Sequence, residues 1–260
     1  MIHLFTTDRS GLDLLPMMPP EIEASAVIVP SNRFYSDKVR SLCKACSVPV
    51  LVHRRGERLP DRLPPAEAAI CWLYSQIIAA QDLARYPVGL LNMHGGRIPD
   101  YRGANVLNWA VANGEPSLGV TWHGLIEAVD AGPIYAESSV SIGPEDTAWD
   151  VRGAMLREGA RQFPEAWRRF VASNPLRWPD LADGRVWPPR RPRDGEIGKT
   201  WPEAKLRAML RAQCPPWPPA TIEHDGSIIA VRHVVATGGI PYRTAEGNIV
   251  YLAPSGEDIC

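Results

Sequence analysis

At 260 residues with 45% hydrophobic content, the chain can bury one large core with a small appendage, which excludes a disordered or fibrous protein. Its 28 basic and 29 acidic residues leave a formal charge of −1, without the positive field that holds proteins on phosphate backbones, so no nucleic-acid partner is expected. No run approaches the roughly 18 apolar residues of a membrane span, and Met1 to Thr7 leads into a polar turn unlike a basic secretory leader; no membrane partner and a cytoplasmic location are expected.

Short apolar runs at 2–6, 26–30, 48–53, 68–74 and 88–94 read as strands, separated by helix-like or loop segments such as 36–47 and 81–86. Continuous apolar strands between crossovers predict an α/β fold, Rossmann-like, with a mostly parallel buried sheet and flanking helices. The turn Thr7-Asp8-Arg9-Ser10-Gly11 after the first strand lacks G-x-G-x-x-G, so NAD is not expected. Five scattered cysteines, at 43, 46, 71, 214 and 260, do not form the paired framework of a small secreted domain. Cys43 and Cys46 make a lone C-x-x-C in a helical stretch, without the second pair or the histidines of a zinc site, so no metal is expected.

Beyond the strand ending at His94, glycines and Pro99 mark a turn, and 104–113 reads as an amphipathic helix. Strands follow at 117–127 and 134–142, and a long helix at 145–173. Residues 1–174 thus form a catalytic-looking domain. A linker at 175–198, rich in proline, tryptophan and arginine, should lie extended. Residues 199–260 read as a helix over 199–213 and a small β-rich subdomain with strands at 221–223, 227–235 and 248–252. The apolar strands of that tail need a partner surface, which makes a homodimer an expectation.

Asn92 and His94 are two positions apart on one strand and therefore point the same way, at the carboxyl end where ligands of open α/β sheets collect. Asp130 interrupts two apolar strands in a loop that returns to the same edge. An amide, an imidazole and a carboxylate in one cleft suit transfer at a carbonyl: donors stabilise the oxyanion, and the carboxylate sets imidazole protonation and helps take the amine's proton. Each also has a plainer reading, as a strand end, a satisfied polar residue and a turn cap.

The stretch Leu91-Asn92-Met93-His94-Gly95-Gly96-Arg97-Ile98-Pro99-Asp100-Tyr101-Arg102-Gly103 resembles the N-x-H…L-P…Y-R-G signature of the 10-formyltetrahydrofolate-dependent formyltransferases. Asn113-Gly114-Glu115, Gly119-Val120-Thr121 and Val129-Asp130-Ala131-Gly132-Pro133-Ile134 are similar to the family's N-G-E, G-V-T and D-x-G-x-I blocks, in the same order and spacing. The resemblance is to a methionyl-tRNA formyltransferase-like N-terminal domain, strong over residues 66 to 150, with a layout nearest the sugar N-formyltransferases. It implies that Asn92, His94 and Asp130 are the catalytic residues, with protonated His94 and Asn92 stabilising the oxyanion. It implies 10-formyltetrahydrofolate as co-substrate, held by Trp72, Tyr74, Ser75, Gln76, Ile77 and Ile78 on one side and Leu125, Ile126, Glu127 and Val129 on the other. Ordinary core packing is the competing reading for Trp72 and Ile77.

The acceptor is expected at Gly95, Gly96, Arg97, Tyr101, Arg102 and Asn105, where guanidinium groups suit phosphate oxygens. Gly95-Gly96 departs from the Pro-Ser or Gly-Ser common in the family, and Ile98 replaces its leucine. About sixty residues follow Gly198, fewer than the basic barrel domain of a methionyl-tRNA enzyme requires and more than a glycinamide-ribotide transformylase carries. The resemblance therefore implies a small-molecule amine, first a nucleotide-linked amino sugar. Trp122-His123 is also similar to domains that formylate amino-acid amines such as hydroxyornithine; hydrolysis of formyltetrahydrofolate and a non-catalytic sensor are the remaining alternatives. His123 is open between lining the cleft and a structural role.

Overall fold

The computed structural model describes residues 1–7, 9–20, 22–31, 34–45 and 48–255. Asp8 of the first turn, Cys46 of the C-x-x-C, Ser47 and Cys260 lie outside the described residues; Cys43 and Cys71 are buried.

The first five strands are β1 (Ile2–Thr6), β2 (Ala24–Pro30), β3 (Val50–His53), β4 (Ala68–Trp72) and β5 (Gly89–His94). β6 (Arg102–Gly103) is a two-residue strand outside the main sheet, followed by β7 (Ser117–Gly124) and β8 (Ile134–Ser141). The main sheet has seven strands in the order β3-β2-β1-β4-β5-β7-β8. Pairing is parallel from β3 through β5 and antiparallel between β5 and β7. The mostly parallel Rossmann-like sheet read from the sequence is present. Every residue of β1 and β4 is buried, as expected for strands apolar on both faces that must be covered on both. β8, at the sheet edge, alternates exposed and half-buried residues along its second half.

The chain divides into two compact units interleaved in sequence: Met1–Arg102, Gly119–Ser138 and Leu156–Arg185 form one, and Gly103–Leu118, Ser139–Met155 and Val186–Cys260 the other. The linear division read from the sequence differs, because the second unit takes two earlier segments as well as the tail.

Within the first unit, the second half of α4 (Ala148–Val171) covers the sheet. Gly159 is the contact point. A Cβ there would lie 3.2 Å from both the Trp72 ring and Met93, and the Trp122 indole donates to the Gly159 carbonyl at 2.9 Å. Phe163 stacks obliquely on Trp122, and Phe170 meets Tyr135 edge-on. α1 (Phe34–Ala45) packs on β2 and β3. A 3-10 segment, Arg9–Met17, follows β1 where the sequence shows only a turn. Among the described residues no helix is long and apolar enough to cross a membrane.

His3 faces Tyr86, its Nδ1 2.7 Å from the phenol oxygen, and burial pushes the imidazole down from 6.5 to about 4. The unfolded chain therefore takes up this proton first as pH falls, so stability is full above pH 6.5 and is lost on the way to pH 4. The loss should reach about 3 kcal/mol for a shift of this size. Urea unfolding at pH 7 and pH 4.5 checks this: His3→Gln should flatten the dependence, and an equally steep loss in the variant would remove His3 as its source.

In the second unit, α3 (Val106–Ala112) packs on α5 (Glu203–Ala212), which buries Leu206, Met209 and Leu210. The linker runs through β9 (Val186–Trp187) and a single 3-10 turn, Pro192–Gly195. Its anchor is Arg190, which lies over the Trp109 ring and donates to the Asn108 carbonyl, the Asp194 carbonyl and Gln213 Oε1. Gly103 is required here, since its φ of 101° and its contact with the Trp187 backbone both exclude a side chain.

The tail adds β10 (Ala220–His224), β11 (Ser227–Val235), β12 (Ile240–Arg243) and β13 (Ile249–Pro254) as an antiparallel sheet in the order β10-β11-β13-β12. α5 lies against β11 and supplies a surface that its apolar strands need. β12 was hidden in the sequence by Pro241, which breaks a strand pattern yet is tolerated on an edge strand, as here.

Candidate active site

β5 delivers Asn92 and His94 to the carboxyl edge of the sheet, and its antiparallel neighbour β7 places His123 directly opposite Asn92 and Thr121 opposite His94. The loop between β7 and β8 brings in Asp130. His94 Nδ1 is 3.7 Å from Asp130 Oδ2, and His123 Nε2 is 3.4 Å from Asp130 Oδ1 and 3.0 Å from Asn92 Nδ2. All of this belongs to the first unit.

The hydrogen bonds determine which nitrogens carry protons. His94 Nε2 donates to the Tyr101 carbonyl at 2.5 Å, leaving Nδ1 of the neutral ring with a lone pair beside Asp130. His123 Nδ1 donates to the Gly124 carbonyl at 3.0 Å, so its Nε2 accepts from the Asn92 amide and holds that side chain with one N–H left over. Burial, the largest influence, lowers the His94 pKa from 6.5, against the opposing pull of Asp130. Burial thus favours the neutral ring, while the expectation of a protonated His94 draws on the opposing pull of Asp130.

The local sequence explains why these atoms meet. Gly119 lies so close to the Arg97 backbone that no Cβ fits, and Thr121 donates its hydroxyl to the Gly96 carbonyl at 2.9 Å, so the G-V-T block supports the turn after His94. Gly132 is wedged against the Gly124 carbonyl, while Gly124 N donates to the Pro133 carbonyl. Asp130 itself has φ 44°, a left-handed conformation that aspartate tolerates better than most residues.

Of the residues assigned to folate, Trp72 is 1% exposed, with its indole N–H on Ser10 Oγ and its ring against Trp122. It is a core residue that backs the wall and presents no face to a ligand. Tyr74 bonds His53 and, with Ile78 and Leu125, packs on the cluster around Leu90 and Tyr86. Ser75 and Glu127 are exposed, and Gln76 is half-buried. Ile77, Ile126 and Val129 are 83%, 39% and 45% exposed. Three uncovered apolar side chains on the two assigned loops fit a flat heteroaromatic ring better than they fit water.

Among the acceptor candidates, Arg97 is exposed, and Gly95 and Tyr101 are half-buried. Asn105 lies in the second unit, where its side-chain oxygen accepts from Arg190 N. Arg102 departs from the expectation: it is 9% exposed and gives both Nε and Nη2 to the Val129 carbonyl, at 2.9 and 2.8 Å. Gly96 has no room for a side chain, because a Cβ would strike the Tyr101 carbonyl and lie 2.7 Å from His94 Nε2. Gly96→Ala should lower kcat roughly 100-fold by moving the imidazole, since misplacement by about 1 Å is enough for that. A variant with wild-type kcat would show that the His94 position tolerates the shift.

His123 is the site residue that sequence reading left undecided. Its signal is the cross-strand pairing with Asn92, which cannot be read until β7 is known to run antiparallel beside β5.

The arrangement defines an α/β enzyme with an amide, two imidazoles and a carboxylate converging at the carboxyl edge of its sheet. Residues 58–167 match the family model described as formyl transferase, so this stretch of the chain carries a formyl transferase domain. Solved structures share the fold along nearly the whole chain. WlaRD, described as a sugar 3N-formyl transferase and crystallised with dTDP and 5-N-formyl-THF, is 14% identical with a TM-score of 0.74, covering 99% of this chain and 98% of its own. The N-formyltransferase of Helicobacter canadensis, in complex with folinic acid and dTDP-3-aminofucose, is 13% identical with a TM-score of 0.72, over 97% and 98%. Methionyl-tRNA formyltransferase from Clostridium thermocellum is 14% identical with a TM-score of 0.60, over 98% and 99%.

Proposed function

We propose that the protein transfers the formyl group of 10-formyltetrahydrofolate to the amine of a nucleotide-linked amino sugar, with Asn92, His94 and Asp130 as its catalytic residues. The observation that carries this reading is the convergence of the three on one another through His123 at the sheet edge. The co-substrate supplies a formyl carbon on an aryl nitrogen that can leave. Ile77, Ile126 and Val129 would flank its ring. The second Asn92 N–H stabilises the carbonyl oxygen as the neutral amine adds and negative charge grows there. The amine's proton is received at His94 Nδ1, the imidazolium so formed is paired by Asp130, and the proton passes to the aryl nitrogen as its bond to the formyl carbon breaks, restoring the neutral ring. No covalent enzyme intermediate is needed, because the amine is the nucleophile.

Support for the acceptor class comes from the two sugar N-formyltransferase structures, which extend over the tail as well as the sheet. Mass detection of products from a panel of nucleotide-linked amino sugars, amino acids and hydroxyornithine tests it. A mass gain of one formyl group on a sugar nucleotide is expected; formylation of hydroxyornithine alone would replace the acceptor class while keeping the reaction.

A further inference from the structure

Arg102 lies in the loop assigned to the acceptor, yet its guanidinium is turned inward and two of its N–H groups converge on one backbone oxygen, that of Val129. The next residue is Asp130, held at φ 44°. A non-glycine residue in that region costs roughly 1–3 kcal/mol and persists only where its surroundings hold it. On the carboxyl side the holding is visible, in Gly132 against the Gly124 carbonyl and Gly124 N on Pro133. On the amino side, residues 126–129 are exposed and Arg102 supplies the inward attachment.

The residue before it completes the pattern. Tyr101 accepts from His94 Nε2 through its carbonyl, and Arg102 N is tied to the Arg185 carbonyl. One dipeptide, Tyr101-Arg102, thus touches the support of both His94 and Asp130.

We propose that Arg102 is a positioning residue for the reaction: its guanidinium clamps the Val129 carbonyl and so keeps the Asp130 carboxylate opposite His94, and it does not bind the acceptor's phosphates. The clamp rests on the proposed roles of His94 and Asp130. A lysine at this position can still donate to the same carbonyl with one N–H, whereas alanine cannot.

Steady-state kinetics and amide hydrogen exchange on wild type, Arg102→Ala and Arg102→Lys test it, with Arg102→Lys keeping the question open to measurement if the alanine variant does not fold. Arg102→Ala should lose about 100-fold in kcat, the scale of a displaced catalytic group, with both KM values within about threefold of wild type. Arg102→Lys should recover part of the loss, and exchange over residues 125–132 should quicken in Arg102→Ala. An acceptor KM raised tenfold or more at unchanged kcat would make Arg102 a substrate ligand and overturn the clamp. Unchanged exchange over 125–132 would overturn it independently of any assay. Wild-type protein that releases no tetrahydrofolate would instead refute the underlying roles of His94 and Asp130.

Discussion

Asp130→Asn should lower kcat about a thousandfold while leaving the fold intact, within the range that a positioned acid–base group contributes. Asparagine keeps the size of the side chain and adopts the left-handed backbone that Asp130 occupies, so the loop has no reason to rearrange. What it removes is the negative charge 3.7 Å from His94 Nδ1. His94 is buried and burial disfavours its charged form; without the carboxylate, the imidazolium that forms when the amine loses its proton is deprived of the largest influence that favours it. The same substitution leaves His123 facing an amide instead of a carboxylate. Circular dichroism with steady-state assay checks both halves of the expectation, and a folded Asp130→Asn with turnover near wild type would take Asp130 out of the chemistry.

His94→Gln should be comparably damaging, about a thousandfold in kcat. Glutamine can still donate to the Tyr101 carbonyl, so the turn from Gly95 to Arg102 keeps its inner contact, but the imidazole that takes the amine's proton is gone. The pH profile separates loss of chemistry from loss of structure. Because burial lowers the His94 pKa from 6.5, the neutral base persists well into mild acid. The acid limb of kcat/KM in the wild type should therefore fall below pH 6.5 and be absent from the residual activity of His94→Gln. A wild-type limb with its midpoint above 7, or one that survives in the variant, would assign the titration to another group.

Much of this site is legible in the sequence because strand geometry is so constraining. Two polar residues at i and i+2, ending an apolar run, have to share a face at a sheet edge, and Asn92 and His94 do. The position of Asp130 also follows from a loop between two runs that both had to be strands. What the sequence conceals is whatever depends on strand order and on backbone atoms. The antiparallel pairing that sets His123 against Asn92 is one case, and the inward turn of Arg102 toward a carbonyl 27 residues away is another. The family resemblance made Arg102 an acceptor ligand and Trp72 a folate contact; Trp72 instead packs against Trp122, and Arg102 takes a backbone acceptor. The division into units follows the same rule, since Gly103–Leu118 joins the tail through helix packing that no local pattern announces.

The most direct test of the account is the stoichiometry of tetrahydrofolate release from 10-formyltetrahydrofolate with and without an amino-sugar nucleotide. The account predicts release that depends on the acceptor and equals, mole for mole, the formyl groups gained by its amine. Release at the same rate without the acceptor would contradict it, making water the nucleophile and the protein a hydrolase built on the same side chains.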